Sequence, residues 1–196
     1  MKKGLSEVVC IVDASGSMYM IRDDAIGGFN SFLEEQKKDP GETRLTYIQF
    51  NDRYNVIIEN EDIQNVKPID EKTYNPSSTT ALLDAVGKTI EDVGNRLSNT
   101  PEDKRPENVI ISILTDGQEN ASKKFTLEQV NKMINHQKEK YNWNFIFLAA
   151  NQDAFSEGTK LGINQNDIFQ YAATSVGIND AYRKMTHSVT SYKSTS

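Results

Sequence analysis

The chain has 196 residues, of which 37% are hydrophobic and 26% are charged, and its formal net charge is −6 at pH 7. This composition is typical of one soluble globular domain, predicted here to span residues 1–196 with its core at about 8–192. It argues against membrane insertion, since no apolar stretch approaches the ~20 residues that cross a bilayer, and against general nucleic-acid binding, which depends on Lys and Arg.

The first predicted element is a buried strand at 8–13, which contains the only cysteine, Cys10. A single cysteine excludes an internal disulfide and favours a reducing compartment, and its place in the strand predicts a small core residue. The short apolar run after Lys2 and Lys3 leads into the polar motif at Asp13, so a signal peptide there would destroy that motif. We therefore expect a cytoplasmic protein.

A run of oxygen-bearing side chains follows this strand at alternate positions, Asp13-x-Ser15-x-Ser17. Carboxylate and hydroxyl oxygens suit a hard divalent cation such as Mg2+ better than His or Cys would. Ser and Asp also cap helices, so the run alone favours a metal site and a simple strand-to-helix turn about equally.

Farther along the chain, apolar runs of strand length alternate with longer helical stripes, which predicts an α/β fold with a mainly parallel sheet. The six predicted strands lie near 8–13, 44–50, 54–59, 109–115, 144–150 and 167–172. Only Asn51-Asp52-Arg53 separates the second strand from the third, which predicts an antiparallel hairpin at one edge. Thr126 with Gln129 predicts a capping box, and Gly162 predicts the end of a short helix that begins near Asp153.

Polar side chains also follow the fourth strand and precede a predicted helix, at Thr115-Asp116-Gly117-Gln118 and Ser77-Ser78-Thr79-Thr80. In open α/β sheets, ligands bind beyond the carboxyl ends of the strands where the strand order reverses. If the first and fourth strands are neighbours at that reversal, the carboxylates of Asp13 and Asp116 meet there.

These three separated motifs, in this order, resemble the von Willebrand factor A family over roughly residues 8–192. The resemblance implies a three-layer, doubly wound, Rossmann-like sheet of about six strands, mainly parallel, with one antiparallel edge strand and helices on both faces. It also implies a metal-ion-dependent adhesion site (MIDAS) with Ser15 and Ser17 as direct ligands. Asp13 and Asp116 would lie near the metal, often acting through water.

The remaining ligand implied by the family is a loop threonine, assigned here to Thr80. The family commonly has Gly-Gly before this residue, whereas Ser77-Ser78-Thr79 precedes it here, so Thr79 stays an alternative. The spacing to Leu83 and Val86 in the following helical stripe favours Thr80.

By this resemblance the domain binds Mg2+ or Mn2+, with Ca2+ as a further candidate, and uses the metal to recognise an Asp or Glu of a partner protein without catalysis. An ATPase or a multi-protein assembly is the kind of partner implied. Several residues flank the ligand segments and are predicted to form the rim that contacts the partner. An ordinary role in an exposed loop is at least as expected for each of them. They are Tyr19, Met20, Tyr74, Asn75 and Gln118.

Two alternatives stay open from the sequence. A metal-dependent phosphotransferase or hydrolase could use Asp13, but the haloacid dehalogenase pattern needs a second Asp two residues later, where this chain has Ser15. A scaffold of the same fold with a structural or vestigial metal is the other alternative. Gly-x-Ser-x-Gly and P-loop motifs are absent, and both histidines, His136 and His187, lie in helical stripes.

Overall fold

Six strands form one mixed sheet in the computed structural model, which describes residues 1–150 and 153–194. The strands are β1 (Lys2–Asp13), β2 (Glu42–Phe50), β3 (Tyr54–Asp62), β4 (Pro106–Thr115), β5 (Asn144–Ala149) and β6 (Ile168–Gln170). The α-helices of the described residues are α1 (Arg22–Lys37), α2 (Leu82–Ser98), α3 (Leu127–Tyr141), α4 (Ala154–Lys160) and α5 (Ser175–Ser194).

The strand order is β3-β2-β1-β4-β5-β6, and all neighbours are parallel except β2 and β3. The chain therefore builds the sheet outward from β1 to β3, returns to the other side of β1 with β4, and continues to β6. This confirms the predicted antiparallel edge hairpin, and it meets the condition that the first and fourth strands be neighbours. The reversal of strand order lies between β1 and β4, at the carboxyl ends that carry Asp13 and Thr115.

Helices cover both faces of the sheet, as predicted, and alternate side chains of each strand feed two separate cores. Val8, Cys10 and Val12 of β1 pack on the side of α1 and α5, whereas Val9 and Ile11 pack on the side of α2, α3 and α4. The three-layer architecture thus follows from strands that are apolar on both faces.

Local signals placed several helix ends correctly. Thr126 and Gln129 form the predicted capping box at the start of α3. Gly162 follows α4 with a φ of +89°, a conformation that glycine adopts readily, and confirms the predicted helix end. The first stripe differs, since a 3-10 turn (Gly16–Ile21) precedes α1 and contains Ile21.

The strand boundaries also differ at polar positions. β1 begins at Lys2 rather than near residue 8, because its polar first half pairs with β2 and β4 and buries Glu7 against Arg96. β3 continues to Asp62, and β6 is limited to three residues. Charged side chains hide the additional residues of β1 and β3 from a search for apolar runs, whereas β6 is shorter than predicted.

Cys10 is fully buried, and desolvation raises the pKa of its thiol to about 12. The prediction of a core cysteine is confirmed. In the described part of the chain, no helix combines the length and apolar character needed to cross a membrane.

Candidate metal centre

Three segments meet at the reversal of strand order. β1 ends at Asp13, and the following turn carries Ser15 and Ser17. β4 ends at Thr115, directly before Asp116, while Thr80 lies two residues before α2. Because β1 and β4 are adjacent and parallel, their carboxyl ends bring the two aspartates to one crevice.

Hydrogen bonds join the side chains from β1 and β4. The Ser17 hydroxyl donates to Oδ1 of Asp116 at 2.6 Å, and the hydroxyl oxygens of Ser15 and Ser17 lie 3.1 Å apart. The backbone N–H of Ser15 donates to Oδ1 of Asp13 at 2.7 Å. Four of the predicted ligands therefore form one connected cluster.

The surroundings of Gly117 show where Thr80 lies relative to this cluster. A Cβ atom built on Gly117 would lie 3.1 Å from Oγ1 of Thr80, 3.7 Å from Oγ of Ser17 and 3.8 Å from Oδ2 of Asp13. Oxygen atoms from the Asp13–Ser17 segment and from Thr80 thus surround one small space beside the third segment, and a side chain at residue 117 would enter it. Thr80 is buried and Thr79 exposed, so the geometry favours Thr80 over Thr79 as the loop residue of the site.

Buried hydroxyls support the cluster from below. Thr115 donates to Oδ2 of Asp13 at 2.6 Å. The Tyr74 hydroxyl donates to the backbone carbonyl of Asp13 at 2.6 Å, and the Tyr171 hydroxyl donates to that of Thr115 at 3.1 Å. The ends of both strands are therefore fixed by side chains that themselves lie in the interior.

The prediction that Tyr74 belongs to the rim is wrong. Its side chain is only 1% exposed and packs beneath the site, because its hydroxyl satisfies the buried carbonyl of Asp13. The other predicted rim residues are exposed, with Met20 at 87% and Tyr19 at 58%. Asn75 and Gln118 are exposed as well.

The two carboxylates lie in an environment that disfavours their charge. Desolvation raises the pKa of Asp13, although hydrogen bonds from Thr115 and Ser15 oppose this shift. Desolvation, with a further contribution from the charge of Asp13, raises the pKa of Asp116 to about 6. Among the described residues, no Lys, Arg or His forms an ion pair with either carboxylate, so a bound cation would relieve both.

The donor set fits a hard cation. It comprises two carboxylates and three hydroxyls, without nitrogen or sulfur, and such ligands suit Mg2+ or Mn2+ better than Zn2+. Across residues 1–150 and 153–194, no group of three or more His, Cys, Asp or Glu side chains could hold a metal, so a metal at this site would need the hydroxyls as ligands.

The sequence reading missed a loop that joins two parts of the site. Residues 119–125, named here the capping loop, follow Gly117 and lie along the start of α2. Asn120 donates its backbone N–H to the carbonyl of Thr80, and its Oδ1 accepts the N–H of Thr80, both at 3.0 Å. The available signal was Ala81 at the N-cap of α2, since alanine cannot cap a helix and the caps must come from elsewhere.

A family model for the von Willebrand factor type A domain matches residues 7–184. No match was found among curated proteins.

Solved structures share the fold at low sequence identity. Proximal thread matrix protein 1 from the mussel byssus matches with a TM-score of 0.63 and 15% identity, over 95% of this chain and 45% of that protein. A second structure of the mussel protein, with a zinc-occupied MIDAS motif, matches with a TM-score of 0.61 and 15% identity over 95% and 46% of the two chains. This chain therefore spans less than half the length of the mussel protein.

The von Willebrand factor domain of the type V pili tip protein Mfa5 from Porphyromonas gingivalis matches over 94% of both chains, with a TM-score of 0.66 and 9% identity. At these identities the structural likeness establishes the fold alone. The family is established by the sequence model, which covers most of the chain. The protein therefore belongs to the von Willebrand factor type A domain family.

Proposed function

We propose that this domain is a protein-interaction module that recognises a partner carboxylate through a divalent metal at a MIDAS. The observation that carries the proposal is the convergence of three hydroxyls and two carboxylates around the space beside Gly117. Family membership adds support, since von Willebrand factor A domains are typically protein-interaction modules.

The hydroxyls of Ser15, Ser17 and Thr80 would hold the metal, with Asp13 and Asp116 offsetting its charge. Neutral hydroxyls would leave the metal electrophilic, so that it could accept one more carboxylate from an Asp or Glu of a partner. Tyr19 and Gln118, which are exposed next to the ligand segments, would contact that partner.

Mg2+ is the preferred metal in this proposal, followed by Mn2+. The zinc in the mussel protein supports a divalent cation in a domain of this fold. The absence of nitrogen and sulfur from the donor set here favours the harder cations. We place the domain in the cytoplasm, beside an ATPase or within a multi-protein assembly.

The proposal excludes catalysis by Asp13. A phosphotransferase of the haloacid dehalogenase type would need a free carboxylate at residue 13 and an acid two residues later. Asp13 is buried, hydrogen bonds engage both of its oxygens, and Ser15 occupies the second position.

Calorimetric titration of the metal-stripped protein with Mg2+ and Mn2+ tests metal binding. We expect saturable binding by the wild type, loss of binding in Asp116→Ala, and unchanged binding in Asp103→Ala. Asp103 is an exposed aspartate at the opposite end of the sheet, in the turn before β4, and is the matched control. Equal binding by the two variants would contradict the site.

The recognition step has its own test. In the Mn2+ complex, an accessible coordination position raises the relaxation rate of water protons, and a competing carboxylate lowers it. We expect acetate to lower the relaxation rate saturably, while acetamide does not. A complex that binds Mn2+ but is indifferent to acetate would instead favour the scaffold with a structural metal.

A further inference from the structure

We infer that Asn120 is a positioning residue of the proposed metal site, where it directs the hydroxyl of Thr80 toward the other ligands. The inference rests on the proposed function, since it concerns the same site. The supporting observation is the set of hydrogen bonds between the capping loop and the start of α2.

The capping loop and α2 satisfy each other's backbone groups. Glu119 accepts the N–H of Leu83 at 2.9 Å, and the Ser122 hydroxyl accepts that of Asp84 at 3.0 Å. In return, the Asp84 carboxylate accepts the backbone N–H groups of residues 123–125 at 2.8–2.9 Å. The loop thereby supplies the N-terminal caps that Ala81 cannot provide.

Asn120 differs from its neighbours in the capping loop because it acts on Thr80. Asn120 binds both the backbone N–H and the backbone carbonyl of Thr80, so the position and the orientation of Thr80 are fixed together. Thr80 is buried, and the side-chain oxygen of Asn120 is the acceptor that the structure provides for its N–H. Asp116 and Gly117 directly precede the capping loop, so the contact of Asp116 with Ser17 and the contact of Asn120 with Thr80 are only four residues apart along the chain.

Three variants separate positioning from general support of the loop. Asn120→Ala removes the acceptor for the Thr80 N–H but keeps the backbone bond to the Thr80 carbonyl. Asn120→Asp keeps an oxygen in the accepting position. Ser122→Ala is the matched control, since it removes another side-chain acceptor in the same loop, one that serves Asp84 rather than Thr80.

The first measurement is the Kd for Mg2+. Loss of a residue that orients a metal ligand typically weakens affinity by about 10–100-fold. We expect Asn120→Ala to raise the Kd at least about tenfold. Asn120→Asp should bind at least as tightly as the wild type, and Ser122→Ala should stay within about twofold, since neither disturbs Thr80.

The second measurement is amide hydrogen exchange at Thr80 in the metal-free protein, followed by NMR. Exchange should accelerate in Asn120→Ala and stay at the wild-type rate in Asn120→Asp and Ser122→Ala. If Asn120→Ala and Ser122→Ala weakened Mg2+ binding equally, or if Thr80 exchange did not change, the inference would be wrong. Absence of Mg2+ binding in the wild type would overturn the proposed function itself, and the exchange data would show separately whether Asn120 fixes Thr80.

Discussion

Gly117 lies on the third segment of the candidate site, where an added carbon would reach oxygens from the other two. A Cβ atom there would come within 3.1 Å of Oγ1 of Thr80, closer than most carbon atoms approach a neighbour in folded proteins. Its backbone does not require glycine, because its φ is not among the positive values of the chain. The presence of glycine at residue 117 is therefore explained by the space that the missing side chain leaves free.

Gly117→Ala should weaken Mg2+ binding by about tenfold, an effect of the size produced when ligand orientation is disturbed. The thermal midpoint of the metal-free protein should change little, since Gly117 is only partly buried and its backbone accepts an alanine without strain. Gly27→Ala in α1 is the control, because a Cβ there meets no atom within 4 Å. A Gly117→Ala variant with wild-type Mg2+ affinity would show that the space is not used by a metal.

At the level of single residues, spacing along the sequence located most of the site. Asp13, Ser15, Ser17 and Asp116 could be predicted because they lie at or just after the ends of strong apolar strands and match the family's motif in order. Tyr74 could not be assigned in this way, since a tyrosine in a polar loop gives no sign that it folds beneath the strand end. For the loop threonine, spacing in the sequence favoured Thr80 over Thr79, and the burial of Thr80 agrees with that choice.

At the level of elements, β1 and α2 are joined by an ion pair far from the candidate metal centre. Glu7 of β1 is 1% exposed and is paired with Arg96 near the end of α2. Desolvation raises the pKa of Glu7, while the charge and the hydrogen bond of Arg96 lower it. A buried carboxylate of this kind is tolerated because its partner is in place.

Arg96→Ala should destabilise the fold by about 3 kcal/mol, since it leaves the Glu7 charge buried without a partner. The double variant Glu7→Leu with Arg96→Ala should recover much of this loss, because it removes the charge and keeps an apolar side chain in the core. Urea unfolding of the wild type and the two variants measures both values. A double variant no more stable than Arg96→Ala would show that the charge is not the cause.

The loss should depend on pH in a defined direction. Without Arg96, the folded-state pKa of Glu7 rises further above its ordinary value, so the folded state takes up a proton more readily than the unfolded state. Between those two pKa values, the stability of Arg96→Ala therefore increases as the pH falls. The deficit relative to the wild type should be largest near pH 8 and smaller near pH 5, and the double variant should not show this trend.

The position of β1 within the sheet explains why its first residues were not predicted to be part of a strand. Its first half has Lys2, Lys3 and Glu7, and a search for apolar runs begins only at Val8. Pairing on both sides with β2 and β4 makes this polar segment a strand. Such pairing is a property of the assembled sheet and leaves no local signal.

At the scale of the whole molecule, the fold and the candidate site depend on different parts of the chain. Two apolar layers, on opposite faces of the sheet, hold the strands and helices together. The oxygens of the candidate site lie at one end of the sheet and are already joined by hydrogen bonds among Ser15, Ser17 and Asp116. The α/β architecture was predictable because alternating strands and helices specify it, whereas the capping loop has no periodic pattern.

This separation predicts that metal removal leaves the protein folded. Chelation with EDTA should preserve the far-ultraviolet circular dichroism spectrum and a cooperative thermal transition, because neither apolar layer contains a metal ligand. Mg2+ at ten times its Kd should then add about 1.4 kcal/mol, which corresponds to a rise of about 3–6 °C in Tm for a chain of this size. Asp116→Ala should melt cooperatively without that rise. Unfolding on chelation would contradict the recognition role, because a metal on which the fold depends is a structural metal.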